Sequence, residues 1–293
     1  MNKLINDNKS HHFLLFKPKK SQRKSFIVSS AHSGEYLTKY LYNKVNKDKK
    51  AYLSMSDMFI NDISILMKDI GVTILQSAIS RIVIDLNRSV DEIDPSYISN
   101  PPRMEFNLSD KAKAGIGLIP TRNAEGKAIY ESKLLWDDVE YRIQNYYLPW
   151  HAKLRKEINS LHKEFGKVFI LDLHSMPSEF GYKNDVKDFV IGNDFDRSSS
   201  KLSKKILSEI IESYGYKCSF NEPYSGGYIT KNYFSKYKNI QCIQLEIRRD
   251  LYMNEKNFEK KENFESFSLD LKNIVSKFYN EIEYSKKITH AAE

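Results

Sequence analysis

The chain has 293 residues, a net charge of +8, 41% hydrophobic and 13% aromatic residues. This content excludes a disordered chain, and the length suits one large α/β domain. The longest uncharged stretch, 70–80, falls well short of the ~20 apolar residues of a membrane helix, and mean hydropathy is −0.56. Cys218 and Cys242 are too few for a disulfide framework or a multi-cysteine zinc site, and they read as buried thiols of a reducing compartment.

Residues 1–24 carry Lys3, Lys9, Lys17, Lys19, Lys20, Arg23 and Lys24 and read as a basic N-terminal extension. Their apolar run, 13–16, is too short for the core of a signal peptide, so a cytoplasmic location is expected. The isoelectric point of 9.1 invites a nucleic-acid reading, but acidic residues are mixed through the chain and no dense basic block follows. A basic balance also suits a small anionic substrate. Further along, β-rich apolar runs at 25–30, 81–86, 167–173, 216–220 and 240–247 predict strands. Amphipathic runs at 57–68, 137–165, 200–214 and 255–281 predict helices. The alternation points to an α/β layer fold with a mainly parallel sheet. The stretch 94–135 reads as irregular. No composition shift marks a boundary, so 25–285 is expected to form one domain, followed by a tail at 286–293.

Four of the predicted strands run into polar residues. They end at Ala31-His32-Ser33-Gly34-Glu35, Asp85-Leu86-Asn87-Arg88, Asp172-Leu173-His174-Ser175 and Glu246-Ile247-Arg248-Arg249. Sites in open parallel sheets lie beyond the carboxyl ends of strands, so one pocket holding two imidazoles, carboxylates and a guanidinium is expected. His32 and Glu35 form H-x-x-E, and His174 stands at another strand end. Two histidines and one carboxylate with an open fourth position make a catalytic zinc shell. Asp172, two residues before His174, points the same way on a strand and suits a carboxylate that orients the imidazole. Arg88, with Asn87, offers a fork for a substrate carboxylate, and Arg81 opens the same predicted strand. The turn Pro223-Tyr224-Ser225-Gly226-Gly227-Tyr228 permits close backbone approach to a ligand. Glu246, closing a very apolar strand, suits the base that takes a proton from water and delivers it to a leaving nitrogen.

These motifs, with Pro223–Thr230 and the run Gln244-Leu245-Glu246-Ile247-Arg248-Arg249-Asp250-Leu251-Tyr252-Met253 in the same order, resemble the N-formylglutamate amidohydrolase family, a distant relative of the zinc carboxypeptidases. The resemblance spans about 25–255. It implies a three-layer α/β/α fold with a mixed, mainly parallel central sheet of the zinc-carboxypeptidase type. It also implies Zn2+ on His32, Glu35 and His174, Asn87 and Arg88 on a substrate carboxylate, and Glu246 as the base; Arg81, Gly227, Tyr228 and Arg249 are expected to add further substrate contacts. The implied reaction is hydrolysis of N-formyl-L-glutamate to formate and L-glutamate, a late step of histidine breakdown. The sequence departs from the family pattern at Ala31, where proline is usual, and at Ile191-Gly192-Asn193-Asp194. Two alternatives stay open: a zinc carboxypeptidase or amidase acting on a glutamyl or cell-wall-type peptide, and a basic nucleic-acid-binding protein without metal.

Overall fold

The computed structural model describes residues 4–5, 12–45, 53–123, 125–179 and 186–291. Lys3, Lys9 and the end of the expected tail at 292–293 lie outside the described residues. The chain forms two compact units, each made of three segments. The first comprises 1–14, 31–58 and 76–157, and the second comprises 15–30, 59–75 and 158–293. The two units alternate along the chain. A chain that alternates between units leaves no linker for composition to reveal.

The second unit is built on a seven-stranded sheet. Its strands in chain order are β1 (Phe13–Phe16), β2 (Phe26–Ser30), β3 (Thr73–Ser77), β4 (Val168–Met176), β5 (Phe189–Gly192), β6 (Cys218–Phe220) and β7 (Ile240–Arg248). The spatial order is β6-β5-β7-β4-β2-β3-β1. β2 and β7 each pair in parallel with β4, whereas β5 runs antiparallel to β7. This is the mixed, mainly parallel sheet expected of the α/β class. Four of the five predicted strands match β2, β4, β6 and β7. The fifth, 81–86, is no strand. It forms buried turns, and the strand that precedes it is β3. The expected N-terminal extension instead supplies the sheet strand β1 and a 3-10 turn at Lys20–Gln22.

Among the described residues, the α-helices longer than one turn are α1 (Ile60–Ile65), α2 (Trp136–Arg142), α3 (Leu148–Phe165), α4 (Lys201–Ser213), α5 (Tyr228–Tyr233) and α6 (Phe264–Ala291). α4 starts where predicted, because the Ser200 hydroxyl accepts from the Ser203 N–H at 3.0 Å and caps the helix. α1 begins later than expected because Phe59 adopts a left-handed backbone, φ 65°, which cannot continue a right-handed helix. α6 also begins late, since Met253–Asn254 and Glu259–Lys260 pair as a short hairpin, and it runs into the expected tail. Between α2 and α3, Ile143–Tyr147 form a π-helical turn.

Residue alternation along the central strands separates two chemistries. On one face Phe26 of β2 stacks on its register partner Phe169 of β4 at 5.2 Å, and Phe278 of α6 meets Phe169 edge-on at 5.0 Å. On the opposite face, Ile27, Ile170 and Cys242 give way toward the strand ends to Ser29, Asp172, His174, Gln244 and Glu246. All of these polar residues are buried, and burial of so many polar groups at one end of a sheet calls for mutual hydrogen bonding.

Candidate functional site

In the first unit the chain leaves β2 at Ser30 and reaches His32 two residues later. The loop is pressed against its neighbours. A Cβ at Gly34 would stand 2.1 Å from the Ile79 carbonyl oxygen, so only glycine fits there. The Asp57 N–H donates to the His32 carbonyl at 3.1 Å. His32 Nε2 lies 2.6 Å from Asp85 Oδ1, and its Nδ1 faces the Asp57 carboxylate at 3.6 Å. His32, Asp57 and Asp85 are all buried. Asp85 also accepts from Arg81 Nη2 at 2.6 Å and from the Asn87 N–H at 2.8 Å. Burial alone would raise its pKa, but the charges of Arg81, His32 and Arg88 hold it well below the usual carboxylate range. Asp85 is therefore a buried carboxylate that orients His32, a role the sequence reading did not assign.

Glu35, expected as a metal ligand, is exposed. H-x-x-E brings its two side chains to one side only on a helix, and here 33–35 belong to no helix while Tyr36 is bridged to Ile79. Asp57 occupies the place beside His32 instead. The amphipathic run 57–68 places a helix start at Asp57, but Met58 and the left-handed Phe59 separate it from α1. Arg81 is engaged by Asp85 and by the Met55 carbonyl. Arg88 is buried, donating from Nε to the Ile116 carbonyl at 3.0 Å and from Nη1 to the Asn87 carbonyl at 3.1 Å.

In the second unit His174 Nε2 lies 2.8 Å from Asp172 Oδ2, as the i, i+2 spacing predicted, and Ser29 donates its hydroxyl to the same carboxylate. Glu246 is the register partner of His174 across β7 and β4. Its Oε1 accepts from Gln244 Nε2 at 2.7 Å, and Gln244 Oε1 accepts from the Gly227 N–H at 2.7 Å. The glycine turn thus sets the orientation of Glu246 through one amide side chain, which the sequence reading missed although Gln244 shares the strand face. Gly227 caps α5, whose first residue is the half-buried Tyr228. Arg249 is buried and donates from Nε to Ser175 Oγ at 3.0 Å. Arg248 pairs with Asp188 and Asp250.

Both histidines present the same chemistry. A carboxylate on Nε2 favours the tautomer protonated there and puts the lone pair on Nδ1. Carboxylate-backed imidazoles of this kind are characteristic of metal ligands. The donor types, neutral imidazole and carboxylate, suit a borderline-soft divalent ion such as zinc.

Residues 24–253 match the family model described as N-formylglutamate amidohydrolase, so this α/β chain is an amidohydrolase. It is 28% identical over 239 residues to N-formylglutamate deformylase of Pseudomonas putida, covering 80% of this chain and 83% of the relative. The corresponding protein of Pseudomonas aeruginosa is 26% identical over 242 residues, covering 80% and 85%. The fold matches the crystal structure of N-formylglutamate amidohydrolase from Ralstonia eutropha JMP134 with a TM-score of 0.86 at 26% identity, over 93% of this chain and 99% of that one. A gene product of Agrobacterium tumefaciens shares the fold at a TM-score of 0.64 and 18% identity, over 93% of this chain and 96% of that one. The chain belongs to the N-formylglutamate amidohydrolase family.

Proposed function

We propose that this chain is a zinc-dependent hydrolase that cleaves N-formyl-L-glutamate to formate and L-glutamate. Family membership and the names of its relatives support the reaction. The observation that carries the metal is the pair of carboxylate-backed histidines, His32 with Asp85 and His174 with Asp172. In this reading His32, Asp57 and His174 are the ligands, with Asp57 in the role first expected of Glu35. Two imidazoles and a carboxylate leave a position open, as a catalytic site requires. A zinc ion there supplies Lewis-acid polarisation of the formyl carbonyl and acidifies a water.

The rest falls to the chain's own residues. Glu246, held by Gln244, accepts the proton of the attacking water and passes it to the departing amino nitrogen. Arg88, its guanidinium fixed by two carbonyls, and Asn87 bind a carboxylate of the substrate. Gly227, Tyr228 and Arg249 contribute further substrate contacts, while Arg81 acts through Asp85. The substrate is a small anion, and neither nucleic acid nor membrane is a partner in this reading. No described helix is long and apolar enough to cross a membrane. A cytoplasmic location and a step in histidine breakdown belong to the same reading.

The test is metal analysis of the purified protein together with formate release from a panel of N-formyl and N-acyl amino acids. About one zinc per chain and greatest turnover of N-formyl-L-glutamate are expected. Turnover that survives complete metal removal, or no formate from any N-formyl acid, overturns the proposal.

A further inference from the structure

The segment Ile82–Arg88 carries Asp85, Asn87 and Arg88, yet it belongs to no helix or strand. Every one of its residues is buried. Buried backbone without regular structure must find partners for its carbonyl groups elsewhere. Here side chains provide them. Tyr130 donates its hydroxyl to the Ile82 carbonyl. Arg142 Nη1 donates to the Val83 carbonyl at 2.9 Å and to the Tyr130 oxygen at 3.0 Å. The His151 ring hydrogen-bonds to the backbone of Leu86. The Tyr147 hydroxyl donates to the Arg88 carbonyl at 2.8 Å. Arg142, 1% exposed, is itself paired with Asp138 one turn earlier on α2.

Three of these four side chains come from one continuous helical stretch, Trp136–Phe165, in which Arg142 precedes the π turn and Tyr147 is its last residue. In an uninterrupted α-helix, residues five apart point about 140° away from each other, at ~100° per residue. The wider π turn lowers the rotation per residue and so brings Tyr147 toward the side that Arg142 occupies. π turns of this kind recur where helices serve functional sites. This turn has a specific effect: it lets one helical stretch grip both ends of the segment.

We propose that Tyr130, Arg142, Tyr147 and His151 are positioning residues that clamp Ile82–Arg88, so that the grip on the Arg88 carbonyl sets the placement of its guanidinium against the substrate carboxylate. The inference rests on the proposed role of Arg88. It adds that preference for an acidic substrate depends on hydroxyl groups of Tyr147 and Tyr130, which belong to the scaffold.

The experiment compares Tyr147→Phe and Tyr130→Phe with the wild-type holoenzyme and with Phe278→Leu, a core variant of the other unit. Each tyrosine variant loses one hydroxyl and keeps its ring. Formate release is measured for N-formyl-L-glutamate and for its α- and γ-amides. Amide hydrogen exchange of 82–88 is followed in the same proteins. Tyr147→Phe is expected to lower the preference in kcat/KM for the acid over the less favoured amide by about 5-fold, chiefly through KM, consistent with loss of one net hydrogen bond. Exchange within 82–88 is expected to quicken. Phe278→Leu, which lowers stability only, is expected to leave the acid-to-amide ratio unchanged. An unchanged ratio and unchanged exchange in both tyrosine variants overturns the clamp. A wild-type protein that releases formate from no N-formyl acid overturns the underlying reaction instead, while the exchange measurement still judges the grip on the segment.

Discussion

Replacing Asp85 by Asn tests the reasoning about the histidines most directly. Asp85 is fully buried and takes three donors: His32 Nε2 and the Asn87 N–H on one oxygen, and Arg81 on the other. An amide cannot satisfy all three. With its oxygen toward His32, its NH2 meets the Arg81 guanidinium, donor against cation. With its oxygen toward Arg81, its NH2 faces His32 Nε2, and the ring must then move its proton to Nδ1. That tautomer withdraws the lone pair proposed to bind the metal. Either orientation also leaves the Arg81 cation without its carboxylate. Breaking a buried charged pair from one side costs about 3–5 kcal/mol of stability. Loss of the carboxylate behind a metal-bound imidazole costs about 10–100-fold in metal affinity. The assay is zinc competition against a chromophoric chelator, with urea unfolding of the metal-free protein alongside. Zinc affinity within twofold of wild type, at unchanged stability, would refute the assignment of Asp85 as the partner that orients His32.

Three further outcomes follow from the same geometry. Glu246→Gln keeps the shape of the side chain and is expected to retain zinc while turnover drops ~10²–10⁴-fold; metal analysis and formate kinetics on one preparation check it, and loss of zinc makes Glu246 a ligand. Gly34→Ala places a Cβ against the Ile79 backbone oxygen and is expected to cost about 1–3 kcal/mol, read as a lower urea midpoint; an unshifted midpoint means the loop has room. His151 is pushed down to about 3 by burial and by Arg155, whereas the unfolded value is about 6.5. Its contribution is therefore fully present above about pH 6.5 and is lost as pH falls toward 3, at about 1.4 kcal/mol per pH unit; His151→Asn is expected to flatten that slope in urea titrations from pH 7.5 to 4, and parallel profiles would sink the assignment.

The legibility of the fold followed the strength of local signals. β2 and β4 open on continuous apolar runs, 26–28 and 168–171, because both sheet faces are covered. α4 was equally plain, with a serine cap and helical periodicity. β5 is four residues long, too short to carry a pattern, so its antiparallel pairing with β7 went unseen. The misread segment 81–86 is instructive. Ile82, Val83 and Ile84 are apolar and fully buried like a strand, but their backbone is satisfied by tyrosine and arginine side chains from distant sequence. Apolar content reports burial, and the pairing partner that distinguishes strand from buried loop is nonlocal.

The site was legible wherever a strand dictated direction. Asp172 and His174 sit two apart on β4, so the alternation of a strand puts them together and no tertiary information is needed. The same alternation puts Glu246 on that face, as the register partner of His174. Glu35 is exposed: H-x-x-E assumes a helical turn, and whether 32–35 is helical depends on Gly34 lying against Ile79, a contact 45 residues away in the chain. Asp57 stood in plain view as a helix start, and Asp85 as the polar end of a predicted strand. In both cases the carboxylate beside His32 was hidden by a reading that suited its neighbours in sequence better than its neighbours in space. Arg81, which pairs with Asp85, is also what keeps it ionised beside His32.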